Sequence, residues 1–78
     1  MDQLKRASLS IVLNIAEASG KTTRADNARF FSIARGSAME CGGVLDACRV
    51  LGLANPRQVE DGEDLVVRIV SMLSKMCR

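Results

Sequence analysis

The chain has 78 residues, of which 47% are hydrophobic, and its 11 basic and 9 acidic side chains give a formal net charge of +2. This length predicts one domain, residues 1–78, with a marginal core, because a chain of this size buries only about 60% of the surface that its unfolded form exposes. No apolar run reaches the roughly 18 residues of a membrane span, and the first residues lack a signal-peptide pattern, so we expect a cytoplasmic protein without membrane contact.

The first predicted helix, residues 2–19, is apolar around most of its circumference. A surface helix of a small monomer needs one apolar stripe about 100° wide, so this helix is expected to be the central one, with a face left for another copy of the chain. Oligomerisation is a common remedy for a small core. The predicted oligomer interface consists of Leu4, Ile11, Val12 and Ile15.

A second helix is predicted over residues 24–51. Thr23 followed by Asp26 resembles a capping box, which places the start at Arg24. Gly52, able to adopt the left-handed conformation, and Leu53, folding back onto the last turn, predict the end.

Glycines in this second helix have two predicted effects. Gly36 is small enough to permit a close helix crossing. Gly42 and Gly43 together cost about 2 kcal/mol of helix propensity relative to two alanines, so we expect a continuous helix with a weak point there.

The third helix, predicted over residues 56–77, has the clearest start signal. Asn55 is the expected N-cap, Pro56 suits the first helical position, and Gln58 lies three residues after the cap. No segment shows sustained apolar–polar alternation, so strands are not expected. The fold class predicted is therefore all-α: an antiparallel helical bundle of three helices that forms an oligomer.

Catalytic chemistry has little support in these residues. Gly20-Lys21-Thr22 resembles the end of a phosphate-binding loop, but Ile15 stands where that loop needs glycine, and the segment follows a helix instead of a strand. The chain lacks histidine, and the acidic group at residues 60–64 surrounds a helix start without converging. The three cysteines lack CxxC spacing and are expected to be reduced core residues. We therefore expect no enzymatic activity, no cofactor and no metal site.

The N-terminal half of the chain is the basic one, since residues 1–36 carry six basic and three acidic side chains and the remainder carries five basic and six acidic. Because a row of basic groups can follow the phosphates of a nucleic-acid backbone, the sequence predicts non-specific binding of RNA or DNA, more effective in an oligomer that repeats the row. Two alternatives remain open: solvated faces with intersubunit ion pairs, and a protein-interaction scaffold that meets an acidic partner surface. The candidate nucleic-acid-binding residues are Lys5, Arg6, Lys21, Arg24, Arg29 and Arg35.

Four stretches of the sequence resemble the four-helix bundle protein family, which includes proteins encoded in intervening sequences of bacterial large-subunit ribosomal RNA genes. The stretches are Gln3-Leu4-Lys5-Arg6-Ala7-Ser8-Leu9-Ser10-Ile11, Asn14-Ile15-Ala16-Glu17, Phe30-Phe31 with Ile33-Ala34-Arg35-Gly36-Ser37-Ala38 and Glu40, and Leu51-Gly52-Leu53.

The resemblance implies an antiparallel bundle without enzymatic activity that assembles as a homopentamer, with a dimer as the next expectation. Related proteins of diversity-generating retroelements associate with a reverse transcriptase and nucleic acid, so a reverse-transcriptase-like or ribosome-associated partner is also implied. Family members have an additional helix before the position of Met1, usually have proline where Val12 stands, and lack the paired Gly42 and Gly43. Either another chain supplies the fourth face, or this is a shortened four-helix bundle whose biological start lies upstream.

Overall fold

The computed structural model describes residues 2–77, which form three α-helices and no strand. Helix α1 spans Asp2–Ser19, α2 spans Arg24–Leu51 and α3 spans Pro56–Met76. These bounds agree with the predicted ranges to within one residue, so the all-α prediction is confirmed. Among the residues described, no helix combines the length and hydropathy needed to cross a membrane.

The ends of α2 and the start of α3 are capped as the sequence predicted. Thr23 Oγ1 accepts a hydrogen bond from the Asp26 amide at 3.2 Å, and Asn55 Oδ1 accepts one from the Arg57 amide at 2.9 Å. Gly52 ends α2 in the left-handed region with φ of 67°. The Leu53 amide then donates to the Cys48 carbonyl at 3.0 Å, which closes the last turn.

The central helix is α2, so the expectation that the first helix is central is wrong. Helix α2 packs against both α1 and α3, and no backbone approach between α1 and α3 occurs within residues 2–77. The reason is side-chain size: the buried face of α2 includes Ala34, Ala38 and Cys41, which let two neighbours approach one helix. The three helices form a flat slab of 44 × 22 × 13 Å.

Both helix pairs run antiparallel. Between α1 and α2, the Ser10 and Ser37 hydroxyls are 2.8 Å apart, and Ser8 Oγ lies 3.8 Å from Cys41 Sγ. Helix α2 is continuous through its paired glycines, as predicted. The close crossing is not at Gly36, where an added Cβ would meet nothing within 4 Å.

The close crossing joins α2 to α3 through two other glycines. A Cβ added at Gly42 would lie 3.3 Å from Val66 Cγ1, and one added at Gly62 would lie 3.0 Å from Leu45 Cδ1. Helices α2 and α3 therefore come closest at Gly42 and Gly62, because glycine has no side chain that would hold the two helices apart.

The buried core is made mostly of small side chains. Cys41 and Cys48 are buried and form no disulfide, as predicted, and Cys77 is half-buried and also forms none. The buried apolar residues are Ala7, Ala18, Ala34, Ala38, Cys41, Cys48, Val59 and Leu73. Many larger apolar side chains consequently remain exposed on the helices.

Candidate nucleic-acid interface

The turn between α1 and α2 positions one group of the basic side chains. Its backbone is held by two hydrogen bonds, from the Gly20 amide to the Glu17 carbonyl and from the Lys21 amide to the Ala18 carbonyl, both at 3.1 Å. The side-chain amide of Asn27, oriented to donate, reaches the carbonyls of Ala18 at 2.9 Å, Thr23 at 3.1 Å and Lys21 at 3.2 Å. One side chain of α2 thus fixes the end of α1, the turn and the N-cap together.

Phe30 brings two basic side chains of this region to one place. Lys21 Nζ lies 5.1 Å from the centre of the Phe30 ring, and Arg29 Cζ lies 4.8 Å from it. Both distances are within the range of cation–π attraction, which is worth about 0.5–1 kcal/mol at an exposed site. We call Lys21, Arg24 and Arg29 the turn cluster, because all three lie at this end of the molecule.

The charge of the turn cluster is partly offset by nearby carboxylates. Lys21 Nζ lies 3.5 Å from Glu17 Oε2, and the two side chains are 36% and 59% exposed, so solvent screens the pair strongly. Asp26 lies in the first turn of α2. Three cations against two carboxylates leave a local balance of 3 − 2 = +1. A single chain consequently offers a weak electrostatic field at this end.

Arg24 and Arg35 lie on a different side of α2 from Arg29. Arg24 and Arg35 are eleven residues apart, which places them on nearly the same side of the helix and about 16 Å apart along it. Arg29 is about 140° around the helix from Arg24. Arg35 is half-buried, and its Nη1 donates to Ser74 Oγ of α3 at 3.4 Å. The predicted row is therefore divided between two sides of α2.

Lys5 and Arg6 lie at the far end of α1 from the turn cluster. Lys5 is twelve residues from Glu17, the ion-pair partner of Lys21, which corresponds to about 18 Å along the helix. Arg6 shares a shallow depression with Gln3, Ser10 and the acidic Glu40. The structure therefore brings Lys21 and Arg29 together at Phe30. Arg24 lies at the same end of the molecule but on another side of α2, and Lys5 and Arg6 lie at the opposite end.

The predicted interface residues surround an apolar groove between α1 and α3, floored by α2. Leu4, Ile11 and Ile15 are half-buried, and Val12 is 63% exposed. The volume of the groove is about 380 Å³. Its lining consists of Leu4, Ser8, Ile11, Val12, Cys41, Leu45, Gly62, Val66 and Ile69. Three of the four predicted residues thus line one concave surface.

Two features that suggest chemistry in the sequence have a different structural setting. The segment Gly20-Lys21-Thr22 follows helix α1, so the strand that a phosphate-binding loop requires does not precede it. Within residues 2–77, no three cysteine or acidic side chains come together in a manner suited to a metal ion. From the acidic group at 60–64, Glu63 forms an ion pair with Arg49 of α2.

Sequence reasoning did not identify Phe30 and Asn27 as residues of this region. Phe30 occupies a heptad position, so the sequence predicts that it is a core residue. The neighbouring Arg29 is the one feature of the sequence that indicates a cation–π contact. Asn27 lies four positions after a capping residue, and no rule for helix starts predicts that a side chain there donates to three carbonyls. It reaches them because the chain turns back from α1 into α2.

The family model described as 23S rRNA-intervening sequence protein matches residues 1–75 of the chain. Comparisons with curated proteins and with solved structures found no significant match.

Proposed function

Because the chain belongs to the family of 23S rRNA-intervening sequence proteins, we propose that it is a non-enzymatic homo-oligomer that binds nucleic acid, preferably RNA, without sequence specificity. Binding uses the turn cluster as its main contact with phosphates. Lys5, Arg6 and Arg35 contribute through the extended surface of the assembly. We place this activity in the cytoplasm.

The observation that supports this proposal most is the shared contact of Lys21 and Arg29 with the Phe30 ring. The ring limits the freedom of two long side chains, so less conformational entropy is lost when both contact a phosphate backbone. Arg24 lies at the start of the same helix. Contacts with the phosphate backbone of a nucleic acid carry no information about its base sequence, which is why the proposed binding is non-specific.

The proposed oligomer compensates for the small charge of one turn cluster. We propose that α1, α2 and α3 are three members of a shortened antiparallel four-helix bundle, whose fourth position corresponds to the groove. Each added copy repeats the turn cluster, and linked weak contacts raise the overall affinity. A pentamer follows from the family resemblance, and a dimer is the smallest assembly with this property.

A titration of the purified protein with labelled single-stranded and duplex RNA at about 50 and 200 mM salt tests the proposal. We expect affinity to fall steeply with salt, because each phosphate contact releases condensed counterions. The double variant Lys21→Gln, Arg29→Gln should bind more weakly and show a shallower salt dependence. The double variant Arg24→Ala, Arg35→Ala tests whether the basic residues on the other side of α2 contribute to RNA binding.

The matched control is the double variant Lys5→Gln, Arg6→Gln, which removes the same charge at the opposite end of α1. If the two double glutamine variants weaken RNA binding equally, the affinity depends on the net charge of the protein, and the turn cluster is not the main binding site. Absence of RNA binding at about 50 mM salt would reject the nucleic-acid proposal.

The rival function is a protein-interaction scaffold or accessory subunit for a nucleic-acid-processing partner, such as a reverse-transcriptase-like or ribosome-associated protein. It is favoured by exposed apolar side chains at the end of α2, where Val50 is 78% exposed and Leu51 and Leu53 are also exposed. Such a patch is typical of a protein contact. No RNA binding at low salt would leave this scaffold as the better explanation.

A further inference from the structure

The carboxylate of Glu17 lies beside one of the cations of the turn cluster. Glu17 Oε2 is 3.5 Å from Lys21 Nζ, and Lys21 Nζ in turn lies 5.1 Å from the centre of the Phe30 ring. The Glu17 carbonyl also accepts a hydrogen bond from the Gly20 amide at 3.1 Å. Glu17 is therefore held next to Lys21 through its backbone as well as through its side chain.

Glu17 stands at the end of α1 that disfavours negative charge. It is in the last turn of the helix, which carries no basic residue, and the helix dipole places partial negative charge at that end. The ion pair with Lys21 offsets this effect, but the pair is weak because the Glu17 and Lys21 side chains are 59% and 36% exposed. The two contributions are of similar size, so Glu17 adds little net stability to the fold.

A carboxylate beside a phosphate-binding lysine affects RNA and DNA differently. Its negative charge repels the phosphates of both. An ionised carboxylate is also a hydrogen-bond acceptor, and the ribose 2′-hydroxyl of RNA is a donor that DNA lacks. The Lys21 ammonium has three N–H groups, so it can donate to a phosphate oxygen while Glu17 remains close. A lysine and a glutamate side by side thus match a phosphate and its neighbouring 2′-hydroxyl.

We propose that Glu17 makes the turn cluster select RNA over DNA. Lys21 contacts a phosphate, and Glu17 accepts a hydrogen bond from a 2′-hydroxyl of the same strand. The Glu17 side chain is more than half exposed, so a bound strand can reach it. DNA meets the repulsion of the carboxylate without gaining the hydrogen bond. The selection reads the sugar alone, so it is compatible with binding that ignores base sequence.

The inference rests on the nucleic-acid binding proposed above and names the chemical class of the ligand. Its test compares three labelled single-stranded oligonucleotides of one sequence, made of RNA, DNA and 2′-fluoro RNA, at about 50 mM salt. The 2′-fluoro strand keeps the sugar conformation of RNA but has no 2′ donor. We expect the Kd for RNA to be about three- to fivefold below the other two for each turn cluster that contacts the strand, which corresponds to one net hydrogen bond.

Two substitutions of Glu17 separate its charge from its role as an acceptor. Glu17→Ala removes both, so DNA should bind more tightly and the three ligands should bind with nearly equal Kd. Glu17→Gln removes the charge but keeps a carbonyl oxygen that accepts a hydrogen bond. It should bind DNA as tightly as Glu17→Ala does and keep part of the preference for RNA.

The matched control is Asp26→Asn, which removes one negative charge from the first turn of α2 at the same end of the molecule. It should tighten binding of all three ligands by the same factor and leave the preference for RNA unchanged. Circular dichroism should show the same helix content in all three variants, because both side chains are exposed.

The outcomes distinguish failure of this inference from failure of RNA binding itself. Equal binding of the three ligands by the unmodified chain would overturn the role of Glu17 and leave the RNA-binding proposal standing. So would a preference for RNA that persists in Glu17→Ala, or one that Asp26→Asn abolishes to the same extent. Absence of binding to all three ligands would reject both the RNA-binding proposal and the selection by Glu17.

Discussion

Gly62 of α3 lies against Leu45 of α2 so closely that a Cβ atom at position 62 would be 3.0 Å from Leu45 Cδ1. Glycine is unfavourable within a helix by about 1 kcal/mol relative to alanine. Glycine at position 62 therefore lowers the helix propensity of α3 but allows α2 and α3 to approach closely. The acidic surroundings of Gly62 do not reveal this relationship, since only the crossing of α2 and α3 creates it.

Gly43→Ala should stabilise the protein by about 0.5–1 kcal/mol, because a Cβ there meets nothing within 4 Å and the helix gains propensity. Gly62→Ala gains the same propensity but must displace Leu45. We expect its free energy of unfolding to be clearly below that of Gly43→Ala. Urea unfolding of the two variants measures the difference, and equal stabilisation would contradict the close contact.

Asn27→Asp should lower the free energy of unfolding by about 1–3 kcal/mol, because it replaces the amide donor facing the Ala18, Lys21 and Thr23 carbonyls with an acceptor. The matched control is Asn55→Asp. Asn55 accepts its capping hydrogen bond, and aspartate retains that acceptor, so little stability should be lost. Comparable losses at both positions in thermal unfolding would argue against the donor role of Asn27.

Thiol labelling of the native protein should occur quickly at one cysteine and slowly at two. Cys77 is half-buried near the end of α3, whereas Cys41 and Cys48 are buried at 5% and 3% exposure. A reagent must reach the sulfur, so the buried pair reacts only after local opening. Ellman's reagent should therefore give one fast equivalent, which Cys77→Ser removes. Fast reaction of all three thiols would contradict the packing of α1 on α2.

Breaking the Arg49–Glu63 ion pair should have a small effect. The side chains are 56% and 24% exposed, and an exposed pair contributes about 0.2–1 kcal/mol. In a double-mutant cycle of Arg49→Gln and Glu63→Gln, we expect a coupling energy within that range that decreases as salt is added. A coupling above about 2 kcal/mol would show that the pair is effectively desolvated.

The helices could be predicted from the sequence because their limits depend on local chemistry. Thr23, Gly52 and Asn55 cap nearby backbone groups, and such hydrogen bonds involve residues two to four positions away. The apolar periodicity likewise belongs to each helix alone. The candidate site was predicted less completely. Spacing places Arg24 and Arg35 on one side of α2, but it does not reveal that Phe30 joins Lys21 to Arg29.

The sequence by itself determined three helices, their limits, and the excess of apolar surface on α1. The tertiary structure decided that α2 is central, that the close crossing uses Gly42 and Gly62, and that Phe30 joins Lys21 to Arg29. These outcomes depend on the side chains that meet across helix pairs. An apolar stripe in the sequence indicates that one surface of a helix must be buried. The size and shape of the side chains on both packing helices decide which helix buries that surface.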